Sequence, residues 1–326
     1  LDESARELKI EAEVKTDKGV GYALIEKSHT RLTQLKANGH PIEFPFYCED
    51  QNRPTRHVPK IGEMSIKELL GLTETIDEEL SDWIWQGIEM DMAIARKGLE
   101  EDYGLAVGRK LQRLVQKGKL GDDAASYASY LTAAAVDARM GGANFPVMTN
   151  AGSGNQGLGA ILPIMAFVGF NGIKDRNLIT RAIAAAHIIS IYVKEHTGVL
   201  SYFCGCAHGA TAGAAAGILI LCGYDVDTVS KALQNITADL TGIICDGGKP
   251  GCALKLALSA GEAVRIAMLA AEGLEASPSD GIVGMTAEDS IAHIGKISKS
   301  GAATADQTII QILDQYHQKK QAPRQK

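Results

Sequence analysis

The sequence predicts an α+β protein: a small sheet-containing unit over residues 1–60 followed by a large, mainly helical domain over residues 61–326. Two observations lead to this. Polar and apolar residues alternate over 7–16, the period of a half-buried strand, whereas beyond the polar loop 51–55 the apolar period lengthens to about 3.6. Capping residues then recur ahead of long aliphatic stretches, the pattern of successive helices.

The first strand ends at Asp17-Lys18-Gly19, where a hairpin turn is expected, and 20–26 should return beside it. Ser28-His29-Thr30 follows, then a strand or short helix through Leu35 and a turn at Asn38-Gly39 into Ile42-Glu43-Phe44. In the helical part, Ser65 with Glu68 three residues on forms a capping box, and Thr75 or Asp77 caps a helix running through Arg96. Further helices are expected over 99–116, 124–140, 158–168, 176–196, 209–221, 226–243, 252–272, 287–300 and 304–318. The basic residues 319–326, with Pro323, should fray.

With 45% hydrophobic and 22% charged residues, the chain can bury a substantial core. Aromatics supply only 5% while glycine reaches 35 residues, so aliphatic side chains and closely packed backbones must fill it. A net charge of -6 gives no electrostatic reason for nucleic acid or an anionic membrane to bind, and a small metabolite is the expected partner. The longest apolar tracts, 157–170 and 209–223, fall short of the roughly 20 apolar residues that span a bilayer and read as buried helices. The chain opens on polar Leu1-Asp2-Glu3-Ser4 without a leader pattern, so a cytoplasmic protein is expected. Its oligomeric state stays open, a homo-oligomer included.

Cysteines stand at 48, 204, 206, 222, 245 and 252, five of the six between 204 and 252. In a reducing compartment such clustering points to metal ligation or redox chemistry. Cys204-Gly205-Cys206 and Cys245-Asp246-Gly247-Gly248-Lys249-Pro250-Gly251-Cys252 both fall at expected helix ends. The glycines and the proline favour a loop that can curl around a bound group, thiolates suit zinc or an iron-sulfur cluster, and Lys249 would offset their charge. Against a metal, the spacing matches no short zinc-finger motif, and the cysteines could be small core or turn residues. A cluster held by three thiolates leaves one iron open to a substrate, which suggests catalysis more than electron transfer.

A second constellation is Thr149-Asn150-Ala151-Gly152-Ser153-Gly154-Asn155-Gln156-Gly157. Its glycines let backbone N–H groups converge at a helix start, and Thr149, Asn150, Ser153, Asn155 and Gln156 add neutral hydrogen bonds for a small carboxylate. Residues 152–157 also spell G-x-G-x-x-G, with Asp175 at about the distance of a ribose contact. A dinucleotide site needs a strand before it and a parallel strand after its helix, whereas here a helical pattern follows and Pro163 interrupts. The stripe Gly209, Gly213, Gly217 is assigned to helix packing. His187 and His196 are read as packing residues, His208 with a small claim to function and His29 with a larger one, balanced by turn chemistry.

These segments resemble the iron-sulfur L-serine dehydratase alpha-chain family, in the branch that includes L-cysteine desulfidase. The resemblance lies in 149–157, in Cys204-Gly205-Cys206 and above all in Ile244 to Lys255; Lys15-Thr16-Asp17-Lys18-Gly19, Ser28-His29-Thr30 and Asp280-Gly281-Ile282-Val283-Gly284 extend it over nearly the whole chain. It implies a four-iron, four-sulfur (4Fe-4S) cluster on three cysteines, with water or hydrogen sulfide eliminated from L-serine or L-cysteine to give ammonia and pyruvate. Cys245 and Cys252 would be two ligands and Cys206 the third, with Cys204 its competitor. Substrate would meet Thr149, Asn150, Ser153, Asn155, Gln156, His29 and Lys249; the catalytic base is unassigned. Members of the branch usually carry a Cys-Thr-Glu/Asp-Pro motif ahead of the small domain, with a cysteine that takes part in catalysis. Residues 1–326 do not contain it and Cys48 is a poor substitute, so either a truncated lyase or an inactive relative is expected. The rival from another class is a non-catalytic iron-sulfur or zinc protein, a redox sensor or regulator.

Overall fold

The structure, a computed structural model, describes residues 9–27, 31–43, 60–198, 201–278 and 280–321, with the backbone alone at 302, 303, 306 and 313–321. The fold is α+β, and the chain divides into two compact units, Leu1–Val58 and Pro59–Lys326.

In the first unit β1 (Lys9–Thr16), β2 (Gly19–Glu26), β3 (Leu32–Ala37) and β4 (His40–Pro41) form an antiparallel meander in chain order. Thr16 pairs with Gly19, so the expected hairpin turn is present and closes through the two residues Asp17 and Lys18. Asn38 and Gly39 both adopt positive φ, the requirement of a tight hairpin turn, and Asn38 Oδ1 also accepts the Val20 N–H at 2.7 Å. The segment through Leu35, open between strand and helix, is strand. His29 and Cys48 lie outside the described residues.

The second unit is helical: α1 (Ile66–Gly71), α2 (Glu78–Glu100), α3 (Val107–Gln116), α4 (Ala124–Met140), α5 (Gly154–Asn171), α6 (Arg176–Thr197), α7 (Gly205–Leu221), α8 (Val226–Leu240), α9 (Cys252–Ala271) and α10 (Ala287–Gln321). Local chemistry sets most of the starts. Ser65 and Glu68 form the capping box, and Asp77, Asp123, Asp175 and Asp225 each accept a first-turn backbone N–H.

Three expectations are corrected. The helix expected over 99–116 is broken, because Gly104 and Ala106 take positive φ and the Asp137 carboxylate, reaching over from α4, accepts the N–H of Gly108 at 2.9 Å. The two helices expected beyond 287 are one, α10. Cys222, expected in the core, is the exposed C-cap of α7.

α5 and α7 are buried nearly all round and form the centre, with α6, α4 and α9 packed about them. α5 carries Pro163 in its interior, so tertiary burial outweighs a break of about 3 kcal/mol. The glycine stripe packs as expected: a Cβ at Gly213 would strike the Ala186 carbonyl of α6, and one at Gly217 would lie 2.6 Å from the Ala182 carbonyl. The close approach of α6 and α7 fixes the geometry that follows.

Candidate functional site

The site grows from the N-termini of α5 and α7 and the loop leading to α9. Ahead of α5, Asn150 and Ser153 exchange backbone hydrogen bonds of 3.1 and 2.9 Å around Ala151 and Gly152, both at positive φ. This tight turn lets Ser153 cap α5 through Gln156 N. The turn is anchored from below by Met148, whose N–H donates to Asp91 on α2 at 2.9 Å. Gly157 has no room for a Cβ, which would overlap the Met148 carbonyl.

The cysteine segments are drawn together by backbone pairing. Cys204 N donates to Ile243 O and Cys245 N to Tyr202 O, each at 2.8 Å, on either side of a bridge between Phe203 and Ile244. The thiols of Cys206 and Cys245 both lie within hydrogen-bonding reach of Cys204. Donation toward Cys206 raises Cys204 to about 11, with burial adding to the shift. The same hydrogen bond lowers Cys206 to about 7, helped by Ser153 and the positive charge of Lys194. Cys245 is pushed up by its hydrogen bond with Cys204 and by burial. Ser153 Oγ lies 3.3 Å from Cys206 Sγ, so the polar loop and the thiols meet directly.

Cys252 opens α9 with its Sγ toward the Gly247 carbonyl at 3.7 Å. Between it and Cys245, Asp246 is paired with Lys249 and with Lys255, the latter at 2.5 Å. Desolvation would raise this carboxyl, but the hydrogen bonds and charges of the two lysines hold it at about 2. Lys249 is thus spent on Asp246 and on holding the loop in shape. Among the described residues no three His, Cys, Asp or Glu side chains are arranged to hold a metal ion. The neighbouring thiols are those of Cys204, Cys206 and Cys245, while the described contact of Cys252 is with the Gly247 carbonyl; with a glycine-rich loop and nearby lysines these are nonetheless donors and charge of the kind a thiolate-bound iron-sulfur group uses.

Behind the turn runs a buried chain of hydrogen bonds. Asn150 donates to the His187 carbonyl at 3.1 Å and lies 2.8 Å from its Nδ1; Gln156 Nε2 donates to Asn150 Oδ1 at 2.8 Å, and Gln156 Oε1 accepts from Lys194 at 3.1 Å. Because an amide nitrogen only donates, His187 Nδ1 accepts and its proton sits on Nε2. Desolvation lowers this imidazole to about 4, so it is neutral. Asn155, on another face, accepts from Arg139 at 3.0 Å. Thr149 is exposed. His208 is buried, and neither ring nitrogen has a partner among the described residues.

Asp91, Arg139, Ser190 and Lys194 were not singled out in the sequence. A signal existed on α6: His187, Ser190 and Lys194 recur at i, i+3 and i+7, one helical face, and His187, Ser190 and Lys194 all bond to the turn or to Gln156. The G-x-G-x-x-G text opens α5 from a two-residue turn, and the element after α5 is helix α6, so the dinucleotide arrangement is absent from the described residues. No described helix is long and apolar enough to cross a membrane.

Fold and site together define a class: an α+β protein in which a helical unit gathers neutral amides, hydroxyls and thiols at the starts of neighbouring helices. A sequence model of the serine dehydratase alpha chain matches residues 9–311. The chain is 39% identical over 307 residues to a UPF0597 protein of Desulfotalea psychrophila, covering 92% of this chain and 70% of that one. It is 39% identical over 313 residues to one of Desulforapulum autotrophicum, covering 94% and 71%. It is 40% identical over 305 residues to one of Clostridium botulinum strain Loch Maree, covering 93% and 69%. The chain therefore belongs to the serine dehydratase alpha-chain family, whose membership supports a related lyase-like function.

Proposed function

We propose that this chain is the iron-sulfur part of an ammonia-lyase or desulfidase that eliminates hydrogen sulfide or water from L-cysteine or L-serine and gives ammonia and pyruvate. The observation that carries this reading is the 3.3 Å approach of Ser153 Oγ to Cys206 Sγ, which sets a loop suited to a small zwitterion beside a cluster of thiols. The family membership supports it independently.

Cys245, Cys252 and Cys206 would hold a four-iron, four-sulfur cluster, with Cys204 the alternative for the third position. Cys206 is favoured because its thiol faces the loop, whereas Cys204 is buried. When bound, the cluster supplies a Lewis-acidic iron for the leaving thiol or hydroxyl. The protein's own part is orientation. Asn150 and Gln156 are locked by the hydrogen bonds behind them, so the turn presents donors in fixed directions without reorganising. Ser153, Asn155, Thr149 and Lys249 complete the proposed substrate contacts. Lys249 would contribute through the loop it holds with Asp246.

The test is anaerobic reconstitution followed by a pyruvate assay with L-cysteine and L-serine, on this chain and on a version extended at its N-terminus with a Cys-Thr-Glu/Asp-Pro segment. The expected protein binds about four irons, absorbs broadly near roughly 400 nm and releases pyruvate in at least the extended form. Uptake of a single zinc with no sulfide, or an iron-loaded extended protein that releases no pyruvate from either amino acid, overturns the reading.

A further inference from the structure

We propose that Lys194 is the anchor for the carboxylate of the amino-acid substrate, a proposal that rests on the lyase reading and deepens it. Lys194 lies on α6 and is only 8% exposed. No carboxylate stands within ion-pair distance of it among the described residues, and Gln156 Oε1 takes only one of its three N–H donors. Its charge reaches the Cys206 thiol, but no described group bonds its other two donors, and a buried ammonium so incompletely paired costs several kcal/mol, an arrangement that is sustained where an anion arrives to complete it.

Its position says which anion. A Cβ built on Gly205 would lie 3.0 Å from Lys194 Nζ and 3.2 Å from Gln156 Oε1, so the ammonium packs closely over the first turn of α7, against the glycine that stands between two cysteines. The start of a 17-residue helix adds a favourable field for negative charge at the same point. Gln156 cannot rotate away, because its Nε2 is held by Asn150 Oδ1 at 2.8 Å and Ser190 O at 3.4 Å. A carboxylate beside Gly205 would fill the remaining donors of Lys194 and place the amino acid's β-carbon toward the thiols, with Ser153 next to it. The sequence gives the same lysine no acidic partner at i±3 or i±4 on α6, since those positions are Ile191, Thr197, Ser190 and Gly198.

The experiment uses the anaerobically reconstituted chain and isothermal titration with L-serine, L-serinamide, which lacks the carboxylate, and lactate, which lacks the ammonium. Lys194→Met, Lys194→Arg and Gln156→Glu are compared with the unaltered protein, with iron content and thermal midpoint measured for each. The expected result is that the unaltered protein prefers L-serine to L-serinamide by about tenfold or more. Lys194→Met abolishes that preference at unchanged iron content, and Lys194→Arg keeps part of it. Gln156→Glu also abolishes it while raising the thermal midpoint, because it supplies an internal counter-charge. Retention of the preference in folded Lys194→Met overturns the proposal, as does loss of iron from Lys194→Met with the preference intact, which would make the lysine a counter-ion of the cluster. The two readings fail separately. Lys194-dependent binding of L-serine and lactate without pyruvate release sinks the lyase reading alone; pyruvate release with an unchanged KM in Lys194→Met sinks the anchor alone.

Discussion

Asp91 Oδ1 accepts the backbone N–H of Met148 at 2.9 Å, and through that single bond α2 holds the turn that precedes α5. The carboxyl is completely buried and its Oδ2 has no partner among the described residues. Desolvation raises it from 3.8 to about 8, opposed only in part by Met148. The native state therefore keeps this proton between about pH 4 and pH 8, where the unfolded chain has lost it, so the stabilisation is complete below about pH 4 and is lost as the pH rises through about 8. Asp91→Asn keeps the shape of the neutral acid. The difference in unfolding free energy between the two proteins should change across that window, by at most about 1.4 kcal/mol per pH unit, and a pH-independent difference in denaturant titrations would refute it. Asp91→Ala should cost about 1–3 kcal/mol below about pH 4, because the Met148 N–H is then left unpaired, and that cost should shrink as the pH rises toward 8.

The glycine stripe on α7 makes a graded prediction. A methyl at Gly213 meets the Ala186 carbonyl and the Ser190 hydroxyl, whereas one at Gly209 has nothing nearer than Val193 Cγ1 at 3.5 Å. Gly213→Ala should destabilise by about 1–3 kcal/mol or more, while Gly209→Ala should be neutral or gain up to about 1 kcal/mol from helix propensity. Thermal midpoints decide it, and equal losses at the two positions would contradict the packing described.

For the cysteines, Cys245→Ser and Cys252→Ser should each abolish retention of iron after anaerobic reconstitution. Cys222→Ser should retain it, since that residue caps the far end of α7 in solvent. Cys206→Ser and Cys204→Ser separate the third ligand, with the larger loss expected for Cys206. If Cys222→Ser loses iron as completely as the others, the assignment is wrong.

Truncating the loop should affect turnover and leave the cluster alone. Ser153→Ala or Asn155→Ala is expected to lower kcat/KM by about 1–3 kcal/mol in transition-state stabilisation with the visible absorption unchanged. Loss of absorption together with activity would mean that the loop serves the cluster and not the substrate.

What the sequence by itself determined is what neighbouring residues decide among themselves. Asn38-Gly39 specifies a tight turn because both residues accept positive φ, and Ser65, Asp77, Asp123, Asp175 and Asp225 start helices because each reaches its own first-turn N–H groups. The cysteine segments and the Thr149–Gly157 text stand out for the same reason, as dense local runs of chemistry-bearing residues. Tertiary structure decided everything that needs a distant partner. Asp137 ends the run into α3 from 29 residues away, burial carries α5 through Pro163, and the end of α7 leaves Cys222 in solvent. Lys194 shows the limit most plainly: in the sequence only its sharing a helical face with His187 and Ser190 sets it apart from a solvated lysine. Only the packing of α6 against α7 puts its ammonium out of water, 38 residues from Gln156 and over Gly205, and charge becomes informative only where a fold removes the solvent that would otherwise screen it.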